Sequence, residues 1–417
     1  MIGLTQVPPA GVFGKEQMQG FGWHPAARLF DGLGVEVRRG VPGRGVFPDR
    51  PAAAALAALG GGSFRIGGEG PPPELGPESG PELGPELGPE LGPELGPELT
   101  PAFETLTGGS SGTPRRIRRS QASWIASFAV NAVLFGIGPG LRVAVLGRLV
   151  HSLALYGAVE ALYLGAEVHL LEEMRPDRQR AALATQRVGL IYATPAQLRL
   201  LVEAGGPVLP DLAHVIAGGS KLDPGLRLAL AQMAPASEVR EFYGAAEASF
   251  ITLAGPQTPP DSVGAPYPGV KLQVVEGEIW VKSPYLFDGY ASDPGSARWS
   301  DGWLSVGEMG EMRDGHLYLS GRAGRMVKVA DQAVYPEEIE AFLLTQPGVT
   351  RAAVLPRPDA LRGVHLVAFV MGDAGQESLL LAALRRQFGP LKAPKTLIWR
   401  QDWPMLASGK TDLGALA

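Results

Sequence analysis

The chain has 417 residues, 45% hydrophobic and 19% charged, which is enough to bury a large core over two or three domains and excludes a disordered tail or a disulfide-stapled miniature. A formal net charge of -5, from 37 Lys plus Arg against 42 Asp plus Glu, provides no basic field for nucleic acid and leaves small anions to local sites. The lack of cysteine excludes disulfides, thiolate metal sites and a cysteine nucleophile, and is compatible with a cytoplasmic setting.

In chain order, Met1 to Ala10 has neither a basic leader nor an apolar core and does not read as a secretory signal. Residues 1–72 are rich in Gly and Pro, predict one helix at Arg50 to Leu59, and contain no motif with evident chemistry. From Pro73 to Thr100 the tetrad Pro-Glu-Leu-Gly recurs with one slip at Ser79. Proline in each tetrad removes a backbone donor and glycine adds entropy, so the segment is expected to be an extended, acidic, disordered linker; a Pro-rich docking ligand is the other reading. The uncharged run Ser120 to Leu141 is interrupted by Asn131, Gly136, Gly138, Pro139 and Gly140 before it crosses roughly 30 Å of hydrocarbon, and reads as a buried helix, with a membrane span the minor alternative.

From Leu141 to Tyr243, short apolar runs such as Leu141 to Leu146, Glu167 to Leu170, Gly189 to Ala193 and Ala213 to Ala217 alternate with helical stretches. That alternation predicts right-handed crossovers and a mostly parallel sheet covered on both faces. After Pro256 the pattern becomes strand-turn-strand at Val270 to Val275, Gly277 to Lys282 and His316 to Ser320, an antiparallel β subdomain. Past Gly321 a helix opening at Pro336, a strand at His365 to Val370 and a helix at Glu377 to Phe388 form a smaller α+β unit. The expected fold class is α/β: a large N-terminal domain with a mostly parallel sheet plus the antiparallel β subdomain, and a smaller C-terminal α+β domain. The divisions are an atypical segment 1–72, the repeat linker 73–100, a large domain 101–321 and a mobile C-terminal domain 322–417.

The first chemical signal is Thr107-Gly108-Gly109-Ser110-Ser111-Gly112-Thr113-Pro114-Arg115-Arg116. Glycines and small hydroxyl residues let a backbone wrap phosphate oxygens, and the arginines add charge. The run cannot be written as a Walker loop, and by itself it is equally a flexible linker beside a solvated basic patch. Arg115, Arg116, Arg118 and Arg119 lack interleaved aromatics, against a nucleic-acid reading. Downstream come Gly218-Gly219-Ser220-Lys221-Leu222, Tyr243-Gly244-Ala245-Ala246-Glu247, Gly277-Glu278-Ile279 leading to Gly289-Tyr290, Trp303 to Glu308, Gly321-Arg322, Val334 to Glu340, and Ser408-Gly409-Lys410.

In order and spacing these motifs resemble the adenylate-forming superfamily of acyl-CoA synthetases, nonribosomal-peptide adenylation domains and luciferases, over about Leu106 to Leu416. The resemblance implies activation of a small carboxylic acid by ATP through an acyl-adenylate, then transfer to coenzyme A or to the pantetheine thiol of an acyl carrier protein. It implies a phosphate loop using Thr107, Gly109, Ser110, Ser111, Gly112 and Arg115. It further implies adenine contacts from Gly218, Gly219 and Ser220, and an adenine-stacking Tyr243 beside Gly244. Glu247 corresponds to the acidic residue associated with Mg2+, Glu308 to the residue holding both ribose hydroxyls, and Arg322 to a nucleotide-contacting arginine. Lys410 corresponds to the adenylation lysine of the smaller domain, and His151 to a substrate-side position, although taken singly His151 reads as a packed core residue.

The residue types suit that chemistry independently. An attacking carboxylate and an α-phosphate are both anionic, so cations must lie between them: magnesium on Glu247 and an ammonium at Lys410. Two oxygens on Glu308 can accept from both ribose hydroxyls. The sequence departs from the family pattern at Arg115-Arg116, where Lys-Gly is usual, at Ala246 for threonine, Glu308 for aspartate, Gly324 for a hinge aspartate and Asp331 for glycine. Family members also carry a longer front. A second reading therefore stands beside the ligase: a divergent, inactive fold that binds nucleotide or a partner.

Overall fold

The computed structural model describes residues 20–68, 73, 101–107, 115–291, 293–329, 332–359, 363–406 and 410–416, so the Pro-Glu-Leu-Gly linker expected from the sequence lies outside the described residues apart from Pro73. Six strands, Arg28–Phe30, Glu167–Leu170, Arg142–Val145, Leu190–Ala193, His214–Gly218 and Glu238–Ala245, lie side by side in that order, each parallel to its neighbour. Antiparallel strands extend this sheet at both edges, Glu36–Val37 at one and Ser249–Ala254 with Ala265–Pro266 at the other, giving nine strands. Glu167–Leu170, Leu190–Ala193 and His214–Gly218 are buried on both faces over most of their length, whereas Glu238–Ala245 is half-buried throughout.

The connecting helices carry local start and stop signals. Thr194 and Gln197 form a reciprocal capping box before Pro195–Glu203, and Asp223 caps Pro224–Met233 by accepting from Leu226 N. The run read as a buried helix forms Gln121–Phe135, opened by the Ser120 side chain and closed by Gly136 in the left-handed conformation. Its neighbour, Ser152–Leu164, ends in the same way at Gly165.

Residues 20–68, for which the sequence offered no role, supply strands to two sheets. Gly45–Phe47 and Phe64–Ile66 join Ala102–Leu106, Arg116–Ser120 and Gly289–Tyr290 in a five-stranded sheet. Phe21 is fully buried against Phe64, Phe103, Trp124 and Phe128, with ring centroids 5.1 to 6.1 Å away, and its backbone N donates to Gln121 Oε1 at 2.6 Å. Burial of such a ring is worth about 1.5–3 kcal/mol, so this segment is anchored through its aromatic contacts although its strands are only two or three residues long. The predicted helix in this region forms at Ala52–Ala57.

The antiparallel subdomain consists of Lys271–Val275, Glu278–Lys282, Trp299–Ser300, Trp303–Arg313 and His316–Arg322. Beyond it, strands Val349–Asp359, Gly363–Gly372 and Thr396–Trp399 pack with helices Pro336–Leu344 and Glu377–Lys392 around a separate apolar cluster that includes Ile339, Leu343, Val354, Leu366, Val370 and Leu384. Arg325 ties the start of this lobe together, at 3.2 Å from Glu337 and 2.7 Å from Glu340, while donating to Val354 O at 3.1 Å.

Candidate active site

Side chains with chemistry gather beyond the carboxyl ends of the parallel strands, where an open α/β sheet leaves a crevice. The strand His214–Gly218 delivers Gly218 with the Phe242 ring pressed against it: a Cβ there would sit 2.2 Å from the ring. Gly219 (φ +97°) and Ser220 follow, both exposed. On the adjacent strand Glu238–Ala245, a register shift falls between Tyr243 and Gly244, and a Cβ on Gly244 would meet Ser249 O at 2.1 Å. Glycine at both positions is thus set by close approach. The Tyr243 hydroxyl is buried, and burial, reinforced by the Glu308 carboxylate, holds the phenol well above its ordinary pKa.

Glu247 follows on the loop after that strand. Its Oε1 accepts from the Tyr290 hydroxyl at 2.7 Å, and its backbone O accepts from Phe287 N at 2.8 Å. Arg119, fully buried on the strand Arg116–Ser120, braces the same loops from behind. Its Nη2 and Nε donate to Ala246 O at 3.1 and 3.3 Å, and its Nη1 and Nη2 to Tyr285 O at 2.9 and 3.0 Å. Burial lowers this guanidinium to about 10, against the opposing charges of Asp288 and Glu247. In the sequence Arg119 reads only as one of four basic residues; its place two residues from Ile117, on the same face of a strand, is the signal available.

Gly109, Ser110, Ser111 and Gly112 lie outside the described residues. The neck of their loop is described: Thr107 N donates to Arg115 O at 2.8 Å, and Thr107 Oγ1 accepts from Arg115 N at 2.9 Å. The Arg115 guanidinium lies 3.3 Å above the centre of the Tyr290 ring and also reaches Ser296 Oγ. Arg116 faces the front segment instead, 3.6 Å from Glu104, with Arg65 3.4 Å from the same carboxylate oxygen. A cavity of about 160 Å³ opens beside Glu247 and Tyr290, lined also by Ser296, Arg298, Ser305 and Gly307.

Glu308 and Arg322 are paired across two antiparallel strands and lie 3.4 Å apart. Lys410 comes from the other lobe. The chain on either side of it is closed by Leu406 N donating to Lys410 O at 2.8 Å and Asp412 N to Pro404 O at 3.0 Å, around residues 407–409, which are not described. Burial lowers the Lys410 pKa, with Arg322 acting in the same direction and Glu308 and Glu247 opposing it. Glu247 and Glu308 belong to the large lobe and Arg322 to its junction with the small one, so the charges that act on Lys410 come from beyond its own end of the chain.

His151 stands apart from that group. It occupies the N-cap position of Ser152–Leu164 without a side-chain cap bond, is half-buried, and has its pKa lowered by burial and by Arg148. Among the described residues no set of three or more His, Cys, Asp or Glu forms a metal cage. Glu247 offers a single carboxylate with one oxygen engaged by Tyr290, a donor set that suits magnesium completing its shell from phosphate oxygens and water.

Comparison with known proteins gives a family answer. A family described as AMP-binding enzyme matches residues 70–291, and one described as AMP-binding enzyme C-terminal domain matches residues 338–410. The chain is 33% identical over 320 residues to YhfT of Bacillus subtilis (strain 168), an uncharacterized acyl-CoA ligase, and 29% identical over 339 residues to a 3-hydroxybenzoate-CoA ligase of Aromatoleum sp. (strain CIB). Those alignments take in 73% and 74% of this chain but only 65% and 64% of the relatives' own lengths. Among solved structures, the amide bond synthetase McbA from Marinactinospora thermotolerans superposes with a TM-score of 0.67 at 26% identity, covering 89% of this chain and 78% of that one.

Proposed function

The chain belongs to the AMP-binding enzyme family, and from that premise we propose that it activates a small carboxylic acid with ATP and passes the acyl group to a thiol. The observation that carries the reading is the half-buried Lys410 of the small lobe lying within the electrostatic reach of Glu247 and Glu308 on the large lobe and of Arg322 at the junction of the two. In the first half-reaction a carboxylate oxygen attacks the α-phosphorus, the α–β bridging bond breaks and pyrophosphate leaves. The Lys410 ammonium stabilises charge on the attacking and α-phosphate oxygens, a contribution of the preorganised electrostatic kind. Glu308 holds the ribose hydroxyls, Tyr243 offers its ring to adenine, and Arg322 and Arg115 offset phosphate charge. Glu247 would hold magnesium, which when bound would supply positive charge against pyrophosphate.

In the second half-reaction a thiol attacks the acyl carbon and AMP leaves. Coenzyme A is the favoured acceptor because the relatives named above are CoA ligases, with a carrier-protein pantetheine as the variant. The similarity to a 3-hydroxybenzoate-CoA ligase supports a hydrophobic or aromatic acid as the substrate. The divisions 101–321 and 322–417 serve as the large and mobile lobes of this cycle.

The test is pyrophosphate release with a panel of aliphatic and aromatic acids under saturating ATP and magnesium, with hydroxylamine to trap the adenylate as a hydroxamate. Acid-dependent pyrophosphate and hydroxamate are expected, with a thioester when coenzyme A is added. Nucleotide binding without acid-dependent pyrophosphate would establish the inactive reading, and hydroxamate without thioester would limit the protein to adenylation.

A further inference from the structure

Tyr290 touches two parts of the proposed site that differ in kind. Its hydroxyl donates to Glu247 Oε1 at 2.7 Å, and the Arg115 guanidinium lies 3.3 Å above its ring centre. The backbone fixes it between them: Gly289–Tyr290 pairs antiparallel with Arg116–Ser120 in the register Tyr290↔Ile117, and Ala291 N donates to Arg116 O at 2.9 Å. Phe287, three residues earlier, holds the backbone O of Glu247 and packs edge-on against the Tyr290 ring at 5.1 Å.

We propose that Tyr290 is a positioning residue that orients the Glu247 carboxylate for its magnesium ion and ties that carboxylate to the phosphate-loop cation Arg115. With Oε1 engaged by a phenol, the carboxylate is held in one orientation with its other oxygen open, and no further hydrogen bond to that carboxylate forms among the described residues. An octahedral ion that dehydrates reluctantly and takes one carboxylate plus phosphate oxygens is sensitive to such orientation, as ligating groups are to the partners behind them. The phenol is the donor of this hydrogen bond, since an ionised carboxylate offers only acceptors. The stacked Arg115 makes the link two-sided: one ring carries both the cation that meets the phosphates and the hydroxyl that aims the metal ligand.

The inference rests on the proposed function, and its test separates the two. Tyr290→Phe removes the hydroxyl and keeps the ring beneath Arg115. Calorimetry with α,β-methylene ATP, which resists cleavage at the α–β bridge, is run on wild type and variant with EDTA and again with excess magnesium. Wild type is expected to bind the magnesium complex more tightly than the free nucleotide. The variant should keep the metal-free affinity and its melting temperature while losing roughly tenfold or more of the magnesium-dependent tightening, the effect of one hydrogen bond to a charged group. Equal magnesium-dependent tightening in wild type and variant overturns the role of Tyr290 and leaves the ligase reading intact. A wild type that binds no nucleotide with or without magnesium overturns both.

Discussion

Lys410 is the residue whose titration the account depends on. Burial and Arg322 lower its pKa below the ordinary lysine value while Glu308 and Glu247 pull the other way. Because the ammonium is the form that acts, activity is present below that lowered pKa and is lost as pH rises through it. Acid-dependent pyrophosphate release, followed from neutrality into the alkaline range, should therefore fall at a lower pH than a solvated lysine would impose, and in Lys410→Arg that limb should move beyond the measured range, since a guanidinium stays protonated. An alkaline limb at the same pH in both proteins would assign the titration elsewhere. Lys410, Glu247, Glu308 and Arg322 stand out in the sequence because each sits in a short motif of fixed order. Tyr290 was quoted within such a motif without a role, since a hydrogen bond to Glu247, 43 residues away in sequence, has no local signature. Arg119 was misjudged because a buried cation satisfied by two carbonyls looks, in sequence, like one more member of a surface basic cluster.

At the scale of elements, the helix Ser152–Leu164 buries ten consecutive residues, from Leu155 to Leu164, one of them the carboxylic acid Glu160. Glu160 accepts from Asn131 Nδ2 at 2.8 Å, Tyr156 OH at 3.0 Å and Tyr192 OH at 2.5 Å, joining the helix Gln121–Phe135 and the strand Leu190–Ala193 to its own helix. Those donors favour the ionised form, yet burial outweighs them and raises the pKa from 4.5 to about 7. The folded-state value lies above the unfolded one, so the stabilisation is complete below about pH 4.5 and is lost as pH rises through about 7. The difference converts to roughly 3 kcal/mol as an order of magnitude. Melting curves should show wild type losing stability between pH 5 and 8, and Glu160→Gln losing much less over the same interval. A parallel decline in both proteins would place the ionisation on another group. The periodicity of this helix and of its partners was readable, as were the alternating runs that became the parallel strands. The single acid in the 13-residue helix was the visible trace of the network, and the tyrosines that bind it were not readable because they meet only after the sheet forms.

For the whole molecule, the alternation of strands and helices conveyed the sheet and its crossovers, and the return of amphipathic pattern after Gly321 conveyed the second lobe with its own core. The front of the chain was opaque for a physical reason: strands of two or three residues carry too little periodicity to register, and Phe21, Gln121 and Gly62 are joined only by long-range hydrogen bonds. The spatial relation of the lobes, which brings Lys410 to Glu308 and Arg322, is likewise a property of packing that no motif encodes. The claim on which the account turns is that the lysine acts in the first half-reaction. Exchange of radiolabelled pyrophosphate into ATP, driven by the preferred acid, measures that step alone. Lys410→Ala should reduce the exchange by roughly a hundredfold or more while binding ATP with unchanged affinity and converting a supplied acyl-adenylate to thioester at the wild-type rate; exchange at the wild-type rate in Lys410→Ala would contradict the account.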